Sequence, residues 1–192
     1  MTKRYGTLNI ILGPMFGEKT TEMTSQITKC VIAGEDAVIF KHQIDTRYIT
    51  GNSIQTHGGR VISSGTIKRG ILRIVTADKL AALKFSERVV GVDEGQFYPD
   101  IVAAVKKWLA VGKKIYVSAL NGDFQRKPFP VISDLISLAT HIQYQKAVCM
   151  MCVTKPARSA HYSRRMVSDK QTQLVGGDDI YKAVCGECYM RE

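Results

Sequence analysis

Residues 8–23 read LNIILGPMFGEKTTEM and join an apolar strand to a helical pattern through a loop that contains two glycines. The loop has the form G-x-x-x-x-G-K-[ST], except that Glu18 stands where the pattern has glycine. Such loops surround phosphate oxygens with backbone N–H groups, while the lysine and the hydroxyl reach the terminal phosphates and Mg²⁺. We therefore predict a nucleotide-binding loop over 13–20; an ordinary strand–turn–helix is the alternative.

The composition is that of a globular protein with an anionic partner. The chain has 192 residues, of which 45% are hydrophobic, and this suits one domain or one domain with a small appendage. No apolar run approaches the roughly 20 residues of a membrane span, and residues 1–7 lack the apolar core of a signal peptide. We therefore expect a cytoplasmic protein without a membrane partner. The net charge of +10 suits the phosphates of a nucleotide or, less readily, a nucleic acid; solubility alone is the alternative.

Helical and strand patterns alternate along the first three quarters of the chain. Met23, Ile27 and Val31 recur every four residues and predict a helix over 20–33. Further patterns predict helices over 77–85, 100–111 and 129–139, and apolar strands over 37–40, 71–75, 88–92 and 114–120. Because alternating strands and helices form a parallel sheet covered on both faces, we predict an α/β fold.

Two charged positions lie where such a sheet would bind a nucleotide. Asp93 and Glu94 directly follow the strand predicted over 88–92. In proteins with a phosphate loop, an aspartate at this place binds Mg²⁺, and a neighbouring carboxylate can act as a base. An acid after an apolar run is common, so this pair supports a nucleotide site only together with the loop. Arg47, beyond the strand over 37–40, could contact phosphate or be a solvated loop residue.

The last quarter contains two C-x-x-C pairs, Cys149 with Cys152 and Cys185 with Cys188. Two such pairs supply the four thiolates of a tetrahedral structural Zn²⁺ site, whereas a redox pair or coincidence is the alternative. The residues between the pairs, 153–184, form a long loop that the metal would hold at its base. Cys30 belongs to the first helix and lies outside the pairs.

Several stretches together carry a resemblance to a known family. DEGQFYPDIV at 93–102 and FQRKPF at 124–129 follow GPMF at 13–16 and DTRY at 45–48, and VGG at 175–177 precedes the second cysteine pair. With these motifs, nearly the whole chain resembles the zinc-containing thymidine kinases of animals, bacteria and large DNA viruses. The resemblance implies a RecA-like P-loop α/β domain over 1–146 and a zinc-binding domain over 147–192. A long lasso-type loop of the second domain would cover the nucleoside, and the family is usually tetrameric.

The resemblance also implies an activity and the residues that perform it. The reaction would be transfer of the γ-phosphoryl group of ATP to the 5′-hydroxyl of thymidine or deoxyuridine, in pyrimidine salvage. Glu94 would be the catalytic base, and Thr20 and Asp93 would bind Mg²⁺. The ATP site would comprise Gly13, Pro14, Met15, Phe16, Gly17, Glu18, Lys19, Thr20, Asp45, Thr46, Arg47, Asp93 and Gln96. The nucleoside site would comprise Met15, Phe97, Leu120, Phe124, Thr172, Gln173, Leu174, Val175, Gly176 and Tyr181.

The chain departs from the family pattern at two places. Gly17-Glu18 replaces Ser-Gly or Ala-Gly, and NGDF at 121–124 replaces DGTF. A carboxylate near three phosphates is electrostatically unfavourable, so we expect Glu18 to point outward, to pair with a lysine or arginine, or to weaken ATP binding. Gly17 could supply part of the backbone freedom that glycine normally gives one position later. Two alternative functions stay open: a RecA-like ATPase that depends on nucleic acid, which the phosphate loop, the acidic pair, the zinc site and the positive charge would also suit, and a family member whose catalysis Glu18 impairs.

Overall fold

The structure, a computed structural model, describes residues 5–44, 52–56, 59–152, 155–168 and 176–191. Within these residues, the strands are β1 (Thr7–Gly13), β2 (Ala37–Lys41), β3 (Ser53–Gln55), β4 (Val61–Ser63), β5 (Gly65–Ile67), β6 (Gly70–Thr76), β7 (Val89–Val92), β8 (Lys114–Leu120), β9 (His141–Tyr144), β10 (Ala147–Val148), β11 (Ser159–Ala160), β12 (Tyr162–Arg165) and β13 (Tyr181–Val184). The helices are α1 (Lys19–Ile32), α2 (Ile101–Ala110), α3 (Pro130–Ile136) and α4 (Gly186–Met190), and a 3-10 turn spans Gly95–Phe97. No helix of this described part is long and apolar enough to cross a lipid bilayer.

One large sheet organises the molecule, in the strand order β5-β6-β2-β7-β8-β1-β9. Its strand pairs are parallel except for β5 with β6, which are antiparallel. Strand β1 pairs with β8 over its whole length, with Gly13 opposite Leu120. The carboxyl ends of β1, β7 and β8 therefore meet at one edge, and this edge carries the loop at 13–20 and the acidic pair.

Helices cover both faces of this sheet. Because successive side chains of a strand point to opposite faces, Ile11 of β1 packs in the cluster that contains Met23 and Ile27 of α1. Ile10 packs in the opposite cluster, with Val105 of α2 and Leu135 of α3. All six side chains are at most 1% exposed, and burial of each stabilises the fold by roughly 1.5–3 kcal/mol. The predicted α/β fold with a largely parallel sheet is confirmed.

The helix predicted over 77–85 is wrong. This segment is irregular, and its backbone N–H groups at Leu80 and Ala81 donate to the carboxylate of Asp100 at 2.8–3.1 Å. Asp100 stands at the start of α2, as expected, but its side chain makes no bond to that helix. The carboxylate fixes the irregular segment, which buries Leu80 completely and packs Phe85 against Trp108.

A second, smaller group of elements follows the large sheet. Strand β10 pairs with β11, β12 pairs with β13, and α4 ends the described chain. A third apolar cluster joins these elements and contains the four paired cysteines, with Ala147, Ala160, Ala183 and Val184 buried among them. The apolar core of this group is thus built around sulfur atoms.

Candidate active site

The loop between β1 and α1 is held by hydrogen bonds of its own backbone. Lys19 is 7% exposed, and its Nζ donates to the Pro14 oxygen at 2.7 Å. The Met15 backbone N–H donates to Ser163 Oγ of β12 at 3.0 Å. A cation and the helix N-terminus thus converge at this loop, which is the arrangement that favours bound phosphate.

Glu18 takes the backbone conformation that the motif normally gives to glycine. Its φ is 55° and its ψ is 27°, in the left-handed region, whereas Gly17 lies outside that region. The expectation that Gly17 supplies the lost freedom is therefore wrong. The Glu18 side chain is exposed, and its carboxylate accepts a hydrogen bond from the Thr21 hydroxyl. Glu18 is thus exposed, as the outward-pointing arrangement requires, but it also lines the cleft beside the loop.

A small cleft opens beside the loop. The residues that line it come from the loop, the first turn of α1 and the end of β7: Met15, Phe16, Gly17, Glu18, Lys19, Thr20, Thr21 and Glu94. Beneath it, Asp93 is 5% exposed and accepts hydrogen bonds from the Thr20 hydroxyl at 2.9 Å and from the Ser118 hydroxyl. Two adjacent oxygen ligands of octahedral Mg²⁺, each about 2.1 Å from the metal, are about 2.9 Å apart. Thr20 and Asp93 therefore fit a magnesium site.

Gln96 connects Glu94 to the next strand. Its side-chain Nε2 donates to Glu94 Oε2 at 2.5 Å, and its Oε1 accepts from the Leu120 backbone at 3.1 Å. Gln96 is 5% exposed, so this amide bridge is buried. We predict from the family that Gln96 contacts ATP, but its side chain makes both of these bonds to the protein. The amide thus holds the Glu94 carboxylate next to the end of β8, and the contact of Gln96 with ATP stays a prediction.

The predicted nucleoside residues that the structure describes come from several elements. Met15 lies in the loop after β1, Phe97 in the 3-10 turn after β7, Leu120 and Phe124 at and after the end of β8, Gly176 before β13 and Tyr181 on it. Arg165 of β12 stacks on the Phe124 ring at 3.8 Å from its centroid and donates to the Tyr181 hydroxyl at 2.6 Å. Phe97 packs against His42, with ring centroids 5.8 Å apart. Gly176 lies against Ile180, where a Cβ atom would come within 2.3 Å of the Ile180 side chain. The remaining predicted residues, Asp45, Thr46, Arg47, Thr172, Gln173, Leu174 and Val175, lie outside the described residues.

The four paired cysteines form a metal-binding geometry. Their Sγ atoms all lie within 4.8 Å of one another, and those of Cys152 and Cys185 are 3.9 Å apart. Tetrahedral zinc with bonds of about 2.3 Å to sulfur places its ligands about 3.8 Å apart, so the cluster fits this ion. Cys30 lies elsewhere, 3.7 Å from the Tyr116 hydroxyl.

The protonation of these thiols also fits a cation. Burial opposes ionisation of Cys149, but N–H groups of Cys185 and Met151 outweigh it and lower the pKa of Cys149 to about 6. Burial, together with the other three thiols, raises the pKa of Cys188 to about 12. Cys149 therefore ionises readily, whereas ionisation of Cys188 is opposed. Four thiolates at this spacing thus require a compensating positive charge.

Sequence patterns miss three residues of this site. Ser118 is a polar residue inside the apolar run of β8, and that exception is a signal that could have been used. Ser163 and Arg165 carry no comparable signal, because the segment between the cysteine pairs has no strong periodicity. Their partners Met15 and Phe124 are distant in sequence, so only the folded chain reveals the contacts.

A phosphate loop after β1, a carboxylate pair after β7 at the same edge of the sheet and a four-cysteine cluster are typical of nucleotide-binding α/β proteins with a structural metal. The family described as "Thymidine kinase" matches residues 6–189. The thymidine kinase of myxoma virus (strain Lausanne) is 36% identical over 184 residues, which cover 96% of each chain. That of raccoon poxvirus is 38% identical over 187 residues, covering 97% of this chain and 98% of the viral one. The cytosolic thymidine kinase of Homo sapiens is 37% identical over 191 residues, covering 100% of this chain and 76% of the human one. The chain therefore belongs to the thymidine kinase family, and it is a kinase.

Among solved structures, the X-ray structure of the Legionella pneumophila ATPase DotB aligns with 83% of this chain and 45% of its own chain. The sequence identity is 11% and the TM-score is 0.49.

Proposed function

We propose that this chain transfers the γ-phosphoryl group of ATP to the 5′-hydroxyl of thymidine or deoxyuridine and forms the 5′-monophosphate. One observation carries the proposal: Lys19, Thr20 and Glu94 line a single cleft, and Asp93 lies directly beneath it. Phosphoryl transfer depends mainly on positioning and charge neutralisation, and these residues supply both. Family membership favours this reaction over a nucleic-acid-dependent ATPase.

Each residue has a distinct task in this reaction. The carboxylate of Glu94 takes the proton of the attacking 5′-hydroxyl, and Gln96 holds that carboxylate in place through Nε2. The Lys19 ammonium leaves the Pro14 carbonyl for the phosphates. Thr20 and Asp93 would hold Mg²⁺, which neutralises charge on the phosphates when it is bound. Ser118 keeps Asp93 oriented for this task.

The rest of the assignment follows the family resemblance. We propose that Asp45, Thr46 and Arg47 contact the phosphates, and that residues 172–176 cover the nucleoside. We also propose zinc as the resident metal of the cysteine cluster, a tetrameric assembly and a cytoplasmic location. The division into domains 1–146 and 147–192 is part of the same proposal, and the separate cysteine-containing cluster supports it.

The test is a phosphate-transfer assay with purified protein, γ-labelled ATP, Mg²⁺ and each natural nucleoside in turn. We expect label to move to thymidine and deoxyuridine and to leave purine nucleosides unlabelled. ATP hydrolysis that rises with single-stranded DNA, without a labelled nucleoside, would instead establish the nucleic-acid-dependent ATPase. Binding of both substrates without transfer would establish an impaired family member.

We expect the exposed Glu18 carboxylate to weaken ATP binding moderately. Two like charges 4 Å apart in water repel by about 1 kcal/mol, so Glu18→Gln should lower the KM for ATP about fivefold. Glu18→Gly removes the charge and also relieves the left-handed backbone, so it should lower KM at least as much. The measurement is an ATP titration at saturating thymidine.

Two comparisons isolate the cause. Glu22→Gln removes the same charge one turn further along α1, where the carboxylate accepts from Gln26, and should leave KM unchanged. An improvement in Glu18→Gly alone would assign the effect to the backbone. Equal KM values in all variants would show that Glu18 does not affect the donor.

A further inference from the structure

Arg165 lies between two aromatic residues of the predicted nucleoside site. Its guanidinium carbon is 3.8 Å from the centroid of the Phe124 ring and 5.2 Å from that of the Tyr181 ring. Its Nη2 donates to the Tyr181 hydroxyl at 2.6 Å. Arg165 and Tyr181 are also directly opposed across the β12–β13 pair, so the backbone sets the spacing of this contact.

The same part of the chain holds Phe124 from a second direction. The Tyr189 hydroxyl of α4 donates to the Phe124 carbonyl oxygen at 2.7 Å. The Arg126 guanidinium, two residues after Phe124, lies 4.5 Å from the centroid of the Tyr189 ring. The Phe124 backbone is thus attached to α4, while its ring is attached to β12 through Arg165. A planar guanidinium restricts a ring more than an ammonium does, because it stacks face to face.

We propose that Arg165 is a positioning residue for the nucleoside, which holds the Phe124 and Tyr181 rings in their binding orientation before the substrate arrives. The inference rests on the proposed function, because the resemblance is what assigns these two rings to the nucleoside. Preorganised side chains lose less conformational entropy on binding, so their effect falls on affinity. Arg165 therefore acts on nucleoside binding and not on the phosphoryl-transfer step.

Two other roles make different predictions. If Arg165 merely supported the β12–β13 pair, its loss would lower thermal stability and zinc content. If Arg165 reached the phosphates, its loss would lower kcat or raise the KM for ATP. Separate measurement of kcat and both KM values, together with zinc content and melting temperature, distinguishes all three roles.

The experiment compares three variants of the full chain. Arg165→Met keeps the length of the side chain but removes the cation and its donors, and should raise the KM for thymidine about tenfold. Its kcat and its KM for ATP should stay within about twofold of wild type. Arg165→Lys keeps the charge but lacks the planar guanidinium group. Its KM for thymidine should therefore lie between those of wild type and Arg165→Met. Lys182→Met removes a positive charge from the residue next to Tyr181 and should match wild type.

A double variant tests whether Arg165 acts through its neighbour. With Tyr181→Phe in place, Arg165→Met should raise the thymidine KM less than it does alone. An unchanged thymidine KM in Arg165→Met, or an effect confined to kcat, zinc content or melting temperature, would overturn the inference. If Arg165→Met does not fold, a wild-type thymidine KM in Arg165→Lys would overturn it equally. Wild-type protein that phosphorylates no nucleoside would refute the proposed function itself, before any variant is compared.

Discussion

Replacement of Glu94 by glutamine is expected to lower kcat for thymidine phosphorylation by about 10²–10⁴, the usual contribution of general acid–base catalysis. The amide has nearly the same shape as the carboxylate but cannot accept the proton of the 5′-hydroxyl. Gln96 can still donate to the oxygen that remains, so the side chain should keep its place. The KM values for ATP and thymidine should therefore change little, because the lost interaction belongs to the transition state.

The measurement is kcat at saturation with both substrates, together with a single-turnover experiment that isolates the chemical step. Asp134→Asn provides the control, since it makes the same chemical change on the exposed surface of α3. A Glu94→Gln protein that keeps wild-type single-turnover rates would show that another group accepts the proton.

Loss of the cysteine cluster is expected to abolish activity although the cluster is not in the cleft. In zinc-finger peptides, a structural zinc contributes about 10–16 kcal/mol of apparent binding free energy, and this energy also stabilises the fold. Cys152→Ser removes one thiolate from a cluster whose sulfur atoms lie at tetrahedral spacing. The elements that the cluster joins include β12, which carries Ser163 and Arg165. We expect Cys152→Ser to lose its zinc and to lower activity by more than about 10².

Elemental analysis and limited proteolysis test this expectation. Wild-type protein purified without added metal should contain one zinc per chain, and Cys152→Ser should contain none and be cleaved faster between 147 and 191. Cys30→Ser is the matched control, because Cys30 lies outside the cluster, and it should retain its zinc and activity. A metal-free protein that is folded and active would contradict the structural role.

Patterns of short range predicted much of this fold. The strand at 8–12, the loop and α1 could be predicted, because the apolar positions follow the period of a strand and then that of a helix. The cysteine cluster could be predicted, because two C-x-x-C pairs have the spacing of metal ligands and few other structures explain them. Asp93 and Glu94 could be interpreted as part of a nucleotide site because they follow a predicted strand and because a phosphate loop precedes them in the chain.

Most of what the sequence patterns did not predict depends on contacts in the folded chain. The segment 77–85 has helical periodicity, but the Asp100 carboxylate binds its N–H groups at Leu80 and Ala81 and fixes another conformation. The position of the Gln96 side chain depends likewise on a distant residue, because the Leu120 backbone holds it beside Glu94; its contact with ATP stays a prediction. Glu18 shows the same limit, because only the folded loop reveals that its carboxylate points outward to Thr21.

The place of β1 between β8 and β9 determines when this protein can fold during synthesis. Strand β1 leaves the ribosome before the other strands of the sheet, yet its two neighbours in the sheet are β8 at 114–120 and β9 at 141–144. The hydrogen bond of the Met15 N–H can form only later, because its acceptor, the Ser163 hydroxyl, lies 148 residues further along the chain. Contacts of such long range form slowly, since a large loop must close before any of them is made. A growing chain that has not reached β8 therefore exposes both edges of an apolar strand, and one edge stays exposed until β9 is made; during that interval we expect the chain to depend on chaperones.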